Sequence, residues 1–450
     1  WTSALEKQAQ GNTAVAAADA ETDRRELLDA IQLNPGVRQL ASTPLLLTIL
    51  ALMKRQGVSL PERRVQLYDQ YVNTLLSTWN RARSISGRAP GRDIDEIQTI
   101  RILAPLALWM HEISLRIGLV GREDIRRKLE ELFADRGDPS PQQASRQFLT
   151  DVHEYAALLL ERGPGEYGFI HLTFEEYLAA VALALKGQGD SAPIIETLSA
   201  HVGEQAWREV TLLTIGYLGL RQQLPKVSGE VVEALVNNRP GPPGEAVVLA
   251  GDAVLDTWPG GVPPQSKEHV IQALLDTMQD GAIRSELRRH ASLLLGRLGW
   301  RPGDLDRFVE VPAGEYQAGV KKETQDIPYA YWIGKYPITN IQFARFVKED
   351  GYQAREFWSD DGWEWRTGKL DELTLDDVNR DWLEHRPLGK RNVPYYWHSI
   401  ELSNPLVPIV GVSWFEAEAY CNWLSKKIVA VPEGYTIRLP HNDEWERASR

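Results

Sequence analysis

The sequence predicts a multidomain chain, all-α over its N-terminal two thirds and mixed α+β over the remainder. Three observations carry that expectation. At 450 residues the chain is about three times the usual domain length, too long for a single hydrophobic core. From Glu21 to Trp300 apolar residues recur at the three-and-four spacing of helices. Beyond Arg301-Pro302-Gly303 the texture changes: 9 of the 15 Trp fall within Asp306 to Arg450, among frequent Pro and Gly and short strand-like runs such as Phe308 to Val311 and Tyr331 to Gly334. The expected division is a helical domain over 1–92, a winged helix over 93–187, a helical solenoid over 188–305 and a compact mixed domain over 306–450.

Taken in order, Arg24 to Ile31 is amphipathic, Asn34-Pro35-Gly36 breaks it, and Val37 to Met53 reads as a helix with an apolar face. Leu60-Pro61 starts the next helix, Glu62 to Trp79, since Pro is tolerated in a first turn. After the basic stretch Arg81 to Arg92, three helices are expected over Ile97 to Ile113, Arg122 to Ala134 and Pro141 to Glu161. Arg162-Gly163-Pro164-Gly165 is a turn signal, and the alternation of Tyr167, Phe169 and His171 predicts a short strand before the helix Thr173 to Leu185. Three helices, a hairpin and a returning helix make a winged helix. Its would-be recognition helix carries Asp151, Glu154 and Glu161, so DNA is not the expected partner. Helices over Ala206 to Leu218, Gly229 to Val236, Ala246 to Trp258, Lys267 to Met278 and Ala282 to Leu298 follow as a degenerate solenoid. In the last region most aromatic rings are expected to be core and loop anchors.

Composition narrows the function. With 43% hydrophobic and 25% charged residues the chain is ordinary folded protein. A net charge of −12 argues against a dedicated nucleic-acid binder. The longest apolar stretch, Thr43 to Met53, is little more than half of a membrane span, and Trp1 to Ala20 lacks the apolar core of a secretory signal. The lone cysteine, Cys421, can form no internal disulfide, which fits a reducing cytoplasm. A start at Trp1 and an end at Arg450 in a helical pattern suggest a piece of a longer polypeptide.

Four ordered segments carry a first resemblance: Leu40 to Leu50 (LASTPLLLTIL), Leu60 to Trp79 (LPERRVQLYDQYVNTLLSTW), Phe169 to Ala180 (FIHLTFEEYLAA) and Trp207 to Leu218 (WREVTLLTIGYL). Together they resemble the part of a NACHT-type STAND NTPase that follows its nucleotide-binding core, with helical, winged-helix and HEAT-like repeat domains. The sequence contains no GxxxxGK[ST] phosphate loop, so the resemblance implies an ATPase core upstream of Trp1. It also implies two nucleotide contacts. His171 is expected to touch the β-phosphate of ADP, because an imidazole N–H donates to phosphate, and Pro44 to pack near the adenine, because a ring without N–H suits a flat apolar base. ADP or ATP with Mg is the implied cofactor, held mainly by the missing core, and activation implies homo-oligomers. Glu175 and Glu176, adjacent on a helix and so pointing in different directions, are read as solvated charges rather than as a catalytic pair.

A second resemblance rests on Val311 to Gly319 (VPAGEYQAG), Lys335 to Tyr352 (KYPITNIQFARFVKEDGY), Pro408 to Leu424 (PIVGVSWFEAEAYCNWL) and Arg438 to Arg450 (RLPHNDEWERASR). These segments resemble the formylglycine-generating enzyme, or sulfatase-modifying factor, family, a branch of the C-type-lectin-like folds. That enzyme oxidises a substrate cysteine with a cysteine pair, copper-binding in the aerobic type, placed after the last matching segment. Cys421 lies instead in a segment that is structural in the family, and a buried inert thiol is expected. Neither copper nor calcium is expected within this span, and Asp360-Asp361 read as turn residues. The two resemblances imply a bacterial sensor whose lectin-like domain binds a protein or other ligand, in antiphage or conflict defence, with diversification by a retroelement as one variant. The alternative is a formylglycine-generating-type oxidase on a regulatory helical arm.

Overall fold

A computed structural model describes residues 13–33, 37–38, 41, 44–55, 60–85, 96–114, 118–151, 158–187, 190–369, 391–399, 401–427 and 434–450. The chain divides into two compact units, Trp1–Leu294 and Leu295–Arg450. The first begins with α1 (Thr13–Leu33), α2 (Pro44–Arg55) and α3 (Arg64–Ile85). Ile49, Leu50 and Met53, spaced to share one helical face, bury the inner side of α2, which packs on α1. The expected break at Asn34-Pro35-Gly36 lies outside the described residues. The break at Leu60-Pro61 is present, and Val65, Tyr68, Val72 and Leu76 form the buried stripe of α3.

Next come α4 (Glu96–Ile113), β1 (Val120–Gly121), α5 (Arg122–Asp135), α6 (Pro141–Asp151), β2 (Leu159–Gly163), β3 (Glu166–Phe169) and α7 (Leu172–Lys186). The strands form one antiparallel sheet in the order β1-β3-β2, with Val120 opposite Tyr167 and Leu159 opposite Phe169. Three helices, a three-stranded sheet and a closing helix are a winged helix. One expectation changes: the helix predicted over Pro141 to Glu161 ends at Asp151, residues 152–157 lie outside the described set, and Leu159–Gly163 is a strand. The reason is burial, since Leu158 and Leu159 are enclosed where they meet the β3 side of the sheet.

Then α8 (Ala192–Ala200), α9 (Gln205–Gly216), a π-helical turn (Tyr217–Arg221), α10 (Pro225–Asn238), α11 (Glu245–Thr257), α12 (Pro264–Gln279) and α13 (Ser285–Arg297) follow. Both α10 and α12 open on Pro, whose fixed φ suits a first turn and whose missing N–H would have had no helical partner. Each helix buries its face on near neighbours: α9 on α7 and α11, α10 on α11 and α12.

The second unit pairs β4 (Phe308–Val311) with β7 (Tyr331–Gly334) and β5 (Gly314–Ala318) with β6 (Glu323–Ile327), both antiparallel. Helices α14 (Asn340–Lys348), α15 (Asp360–Thr367), α16 (Trp414–Lys427) and α17 (Asn442–Ala448) follow, with a 3-10 turn over Arg355–Phe357. The core is aromatic: Phe343, Phe346, Tyr352, Phe357, Trp358, Trp365, Tyr420 and Trp423 pack as one cluster. Asp360 and Asp361, expected in a turn, instead occupy the first turn of α15. The Ser359 hydroxyl there accepts from the Gly362 N–H, and negative charge is favoured at a helix N-terminus.

Candidate functional site

His171 follows the last strand of the wing with φ −149° and ψ 145°, and it is the N-cap of α7 rather than a strand residue. Its Nδ1 accepts from the Thr173 N–H at 3.2 Å and lies 2.9 Å from the Thr173 hydroxyl. A nitrogen that accepts from a backbone N–H carries no proton, so the ring is fixed as the Nε2–H tautomer. Partial burial and the Arg162 guanidinium hold its pKa below the ordinary histidine value, which keeps the ring neutral at pH 7. The result is an N–H donor on an exposed residue whose ring is tied down by its own helix cap. Arg162 fixes the wing under it, its Nη2 donating to the Phe169 carbonyl at 3.2 Å and to the Ile170 carbonyl.

Pro44 is exposed at the start of α2, and its carbonyl accepts from the Thr48 hydroxyl at 2.8 Å. The two residues sit on separate elements, and among the described residues no hydrogen bond joins them.

Glu175 and Glu176 are not solvated. Both are buried, because α7 is flanked by α3, α4 and α9 and lies enclosed from Phe174 to Ala184. Glu175 Oε1 lies 3.2 Å from Nδ1 of His111 on α4. Burial, reinforced by the Glu209 carboxylate, pushes Glu176 up to about 7. Around them lies a charged belt that sequence reasoning missed. Arg64 of α3 bonds Glu209 of α9 at 2.8 Å and also bonds Asp256 of α11. Against the cost of burial, these two carboxylates hold the guanidinium above its ordinary value. Arg208 bridges Glu209 at 3.0 Å and Asp252 at 2.8 Å, and His290 reaches Asp252 at 3.2 Å. On the other side of α3, Asp69 takes Arg221 at 2.6 Å and the Tyr177 hydroxyl at 2.8 Å. The available signal was the composition of α7 itself: a helix apolar on every side is a central one, so its charges are buried too.

In the second unit two buried acids are tied within their own region, one by a ring hydroxyl and a backbone N–H and one chiefly by an arginine. Glu416 accepts from the Tyr352 hydroxyl at 2.6 Å and the Ser413 N–H at 2.7 Å, which ties the start of α16 to the ring core. Glu444 takes both Arg438 nitrogens at 2.7 and 2.8 Å, the His441 N–H at 2.7 Å and the Tyr329 hydroxyl at 3.1 Å. Arg438 above all, then the His441 N–H, hold it down to about 2 against its burial. Cys421 is buried, and burial together with Glu418 pushes its thiol up to about 11. Of the tryptophans, Trp358, Trp365 and Trp423 are core, whereas Trp332, Trp414 and Trp445 are more than half exposed. A cavity of about 520 Å³ lies by Arg301, Arg307 and Arg345, but Arg345 already bonds Asp306 at 2.9 Å. Among the described residues no group of three or more His, Cys, Asp or Glu gathers in metal-binding array.

Residues 64–183 match the family model of the winged helix-turn-helix domain C-terminal to NACHT, and residues 299–450 match that of the sulfatase-modifying factor enzyme 1-like domain. The chain thus joins a segment that matches the first family to a segment that matches the second. Similar curated proteins include a hercynine oxygenase of Mycolicibacterium thermoresistibile, 35% identical over 123 residues, which are 27% of this chain and 22% of that protein. Others are the formylglycine-generating enzyme of Bos taurus, 29% identical over 170 residues (34% and 41%), and the inactive C-alpha-formylglycine-generating enzyme 2 of Bos taurus, 28% over 198 residues (38% and 58%). The chain thus spans less than two thirds of each of these relatives. Active and inactive proteins both stand among them, so the shared fold does not decide catalysis. No helix among the described residues is long and apolar enough to cross a membrane.

Proposed function

We propose that the protein is a bacterial NACHT-type switch whose winged-helix domain clamps ADP and whose sulfatase-modifying-factor-like domain binds a protein or other ligand. The carrying observation is His171: a neutral Nε2–H donor, fixed by its own helix cap, at the motif position where the NACHT resemblance expects a phosphate contact. In this reading the nucleotide and its Mg are held mainly by an upstream core, Pro44 meets the adenine, and ADP favours the closed state. Ligand binding to the distal domain favours an open, ATP-bound, homo-oligomeric state, and each ligand shifts the equilibrium only by its differential affinity. A cytoplasmic antiphage or conflict-defence sensor, retroelement-diversified in its last domain, is the setting this architecture serves. Nucleic acid is not proposed as a partner.

The test is the nucleotide released when the purified full-length protein is denatured. The wild type is expected to release stoichiometric ADP, and His171→Ala to retain it at least ~10-fold more weakly, the loss of one hydrogen bond to a charged group. Unchanged ADP retention and unchanged basal activation in the variant would sink the clamp.

The second reading, an oxidase of the formylglycine-generating type, is favoured by the similarity to the formylglycine-generating enzyme of Bos taurus. It requires cysteines other than Cys421, whose thiol is protonated at neutral pH and enclosed. Oxidation of a cysteine peptide by the copper-loaded full-length protein would establish it.

A further inference from the structure

The winged-helix domain holds a cavity of about 390 Å³ lined by Gly118, Leu119, Arg162, Phe169, Leu172 and Glu175, within the size range of small-ligand sites. Glu175 contributes the one carboxylate among these lining residues. Glu175 is wholly buried; its Oε1 meets His111, and its Oε2 has no hydrogen-bond partner among the described residues. Oε2 points toward Gly118, where a Cβ would come within 3.1 Å of it, and at Gly168 a Cβ would stand 2.7 Å from the Gly118 carbonyl oxygen. Gly118 also has φ +60°, so glycine there lets the backbone lie close to this carboxylate, and glycine at 168 lets β3 close on the Gly118 carbonyl.

A buried acceptor without a donor is costly, and a charged one more so, which makes the cavity complementary to a cationic donor. A metal ion needs several oxygens, whereas Leu119, Phe169 and Leu172 offer apolar walls. At the exposed end stands Arg162. Its Nη2 is held on two wing carbonyls, while its Nε and Nη1 have no partner among the described residues. A guanidinium there repels a simple cation and attracts an anionic group, so the cavity presents opposite charges at its two ends. We propose that it binds a zwitterion of the amino-acid class: ammonium on Glu175 Oε2, carboxylate on Arg162, and an aliphatic side chain against Leu119, Phe169 and Leu172. The site uses neither Nε2 of His171 nor Pro44; it shares with the nucleotide clamp only Arg162, which supports the wing under His171.

The test is calorimetric titration of the 450-residue chain with L-leucine, which is expected to show one saturable site. 3-Methylbutylamine, which lacks the carboxylate, and 4-methylpentanoate, which lacks the ammonium, are each expected to bind at least ~10-fold more weakly. Glu175→Gln is expected to lose leucine binding. Arg162→Met, at the exposed end and away from the His111 contact, is expected to bind leucine and the amine alike, and it reports even if Glu175→Gln does not fold. The proposal is overturned if wild type takes up no leucine at millimolar concentration, if the amine binds as tightly as leucine, or if Arg162→Met keeps the full preference.

Discussion

The two units bury charge in different ways. In the first, acids and bases on different helices are paired side chain to side chain: Arg64 with Glu209 and Asp256, Arg208 with Asp252, Asp69 with Arg221, His111 with Glu175. In the second, Glu416 is held by a backbone N–H and a tyrosine inside an aromatic cluster, and Glu444 by a bidentate Arg, a backbone N–H and a tyrosine. Ion pairs between side chains on different helices can be exchanged for other pairs when helices shift, whereas an acid bound to a backbone N–H and a core ring, as Glu416 is, holds one geometry. The first unit therefore has the makings of a two-state element and the second those of a fixed display scaffold.

The largest effect expected is at Arg64. Arg64→Met leaves Glu209 and Asp256 close together without their shared cation, at a cost of about 2–4 kcal/mol, less than for a fully enclosed pair because Arg64 keeps some solvent. Hydrogen exchange read by mass spectrometry should quicken in α3, α9 and α11 and stay unchanged in the ring core around Phe346. Equal quickening in both units would erase the distinction between them.

Acidity separates the units next. Glu176, pushed up to about 7, is protonated in the folded state while its unfolded counterpart ionises near 4.3, so it withdraws stability as pH rises from about 4.3 to 7. Glu444, held down to about 2, contributes stability above about 4.3 that is lost as pH falls toward 2. Each amounts to about 1–3 kcal/mol, toward the low end for Glu444 because its Arg438 partner is half in solvent. Mild acid thus strengthens the first unit through Glu176, and stronger acid weakens the second through Glu444. Glu176→Gln should flatten the dependence of exchange in α7 between pH 4.5 and 7, and Glu444→Gln should flatten that of the second unit below pH 4.5. An unchanged pH profile in either variant would remove its residue from this account.

Much of this was legible in the sequence. Period and punctuation located most helices of the first unit, the HLTFEEY run singled out His171, and the four segments from Val311 to Arg450 pointed to the fold of the last region. The burial of Glu175 and Glu176 was not legible from their own positions, because neighbouring charges on a helix usually reach water. Only the surroundings of α7, a helix packed on several sides, force both inward. The cap that fixes the His171 tautomer was likewise hidden, since it depends on where the strand ends: with β3 closing at Phe169, His171 becomes the N-cap and Thr173 its partner. Ion pairs such as Arg64 with Asp256, nearly two hundred residues apart, leave no local periodicity to read.

The smallest effect expected concerns Cys421, and it sharpens the scaffold half of the comparison. Its thiol is enclosed within the second unit beside Glu418 and pushed up to about 11, so little thiolate exists near pH 8 and little of that is accessible. A thiol reagent should leave the folded chain unlabelled and label one equivalent on denaturation, while Cys421→Ala, a small truncation in a packed site, should cost only about 1 kcal/mol. Rapid labelling of the folded chain would mean that α16 opens readily. The second unit would then be no more rigid than the first, and the contrast between ion-paired helices and a locked aromatic core would fail at the residue where it is easiest to measure.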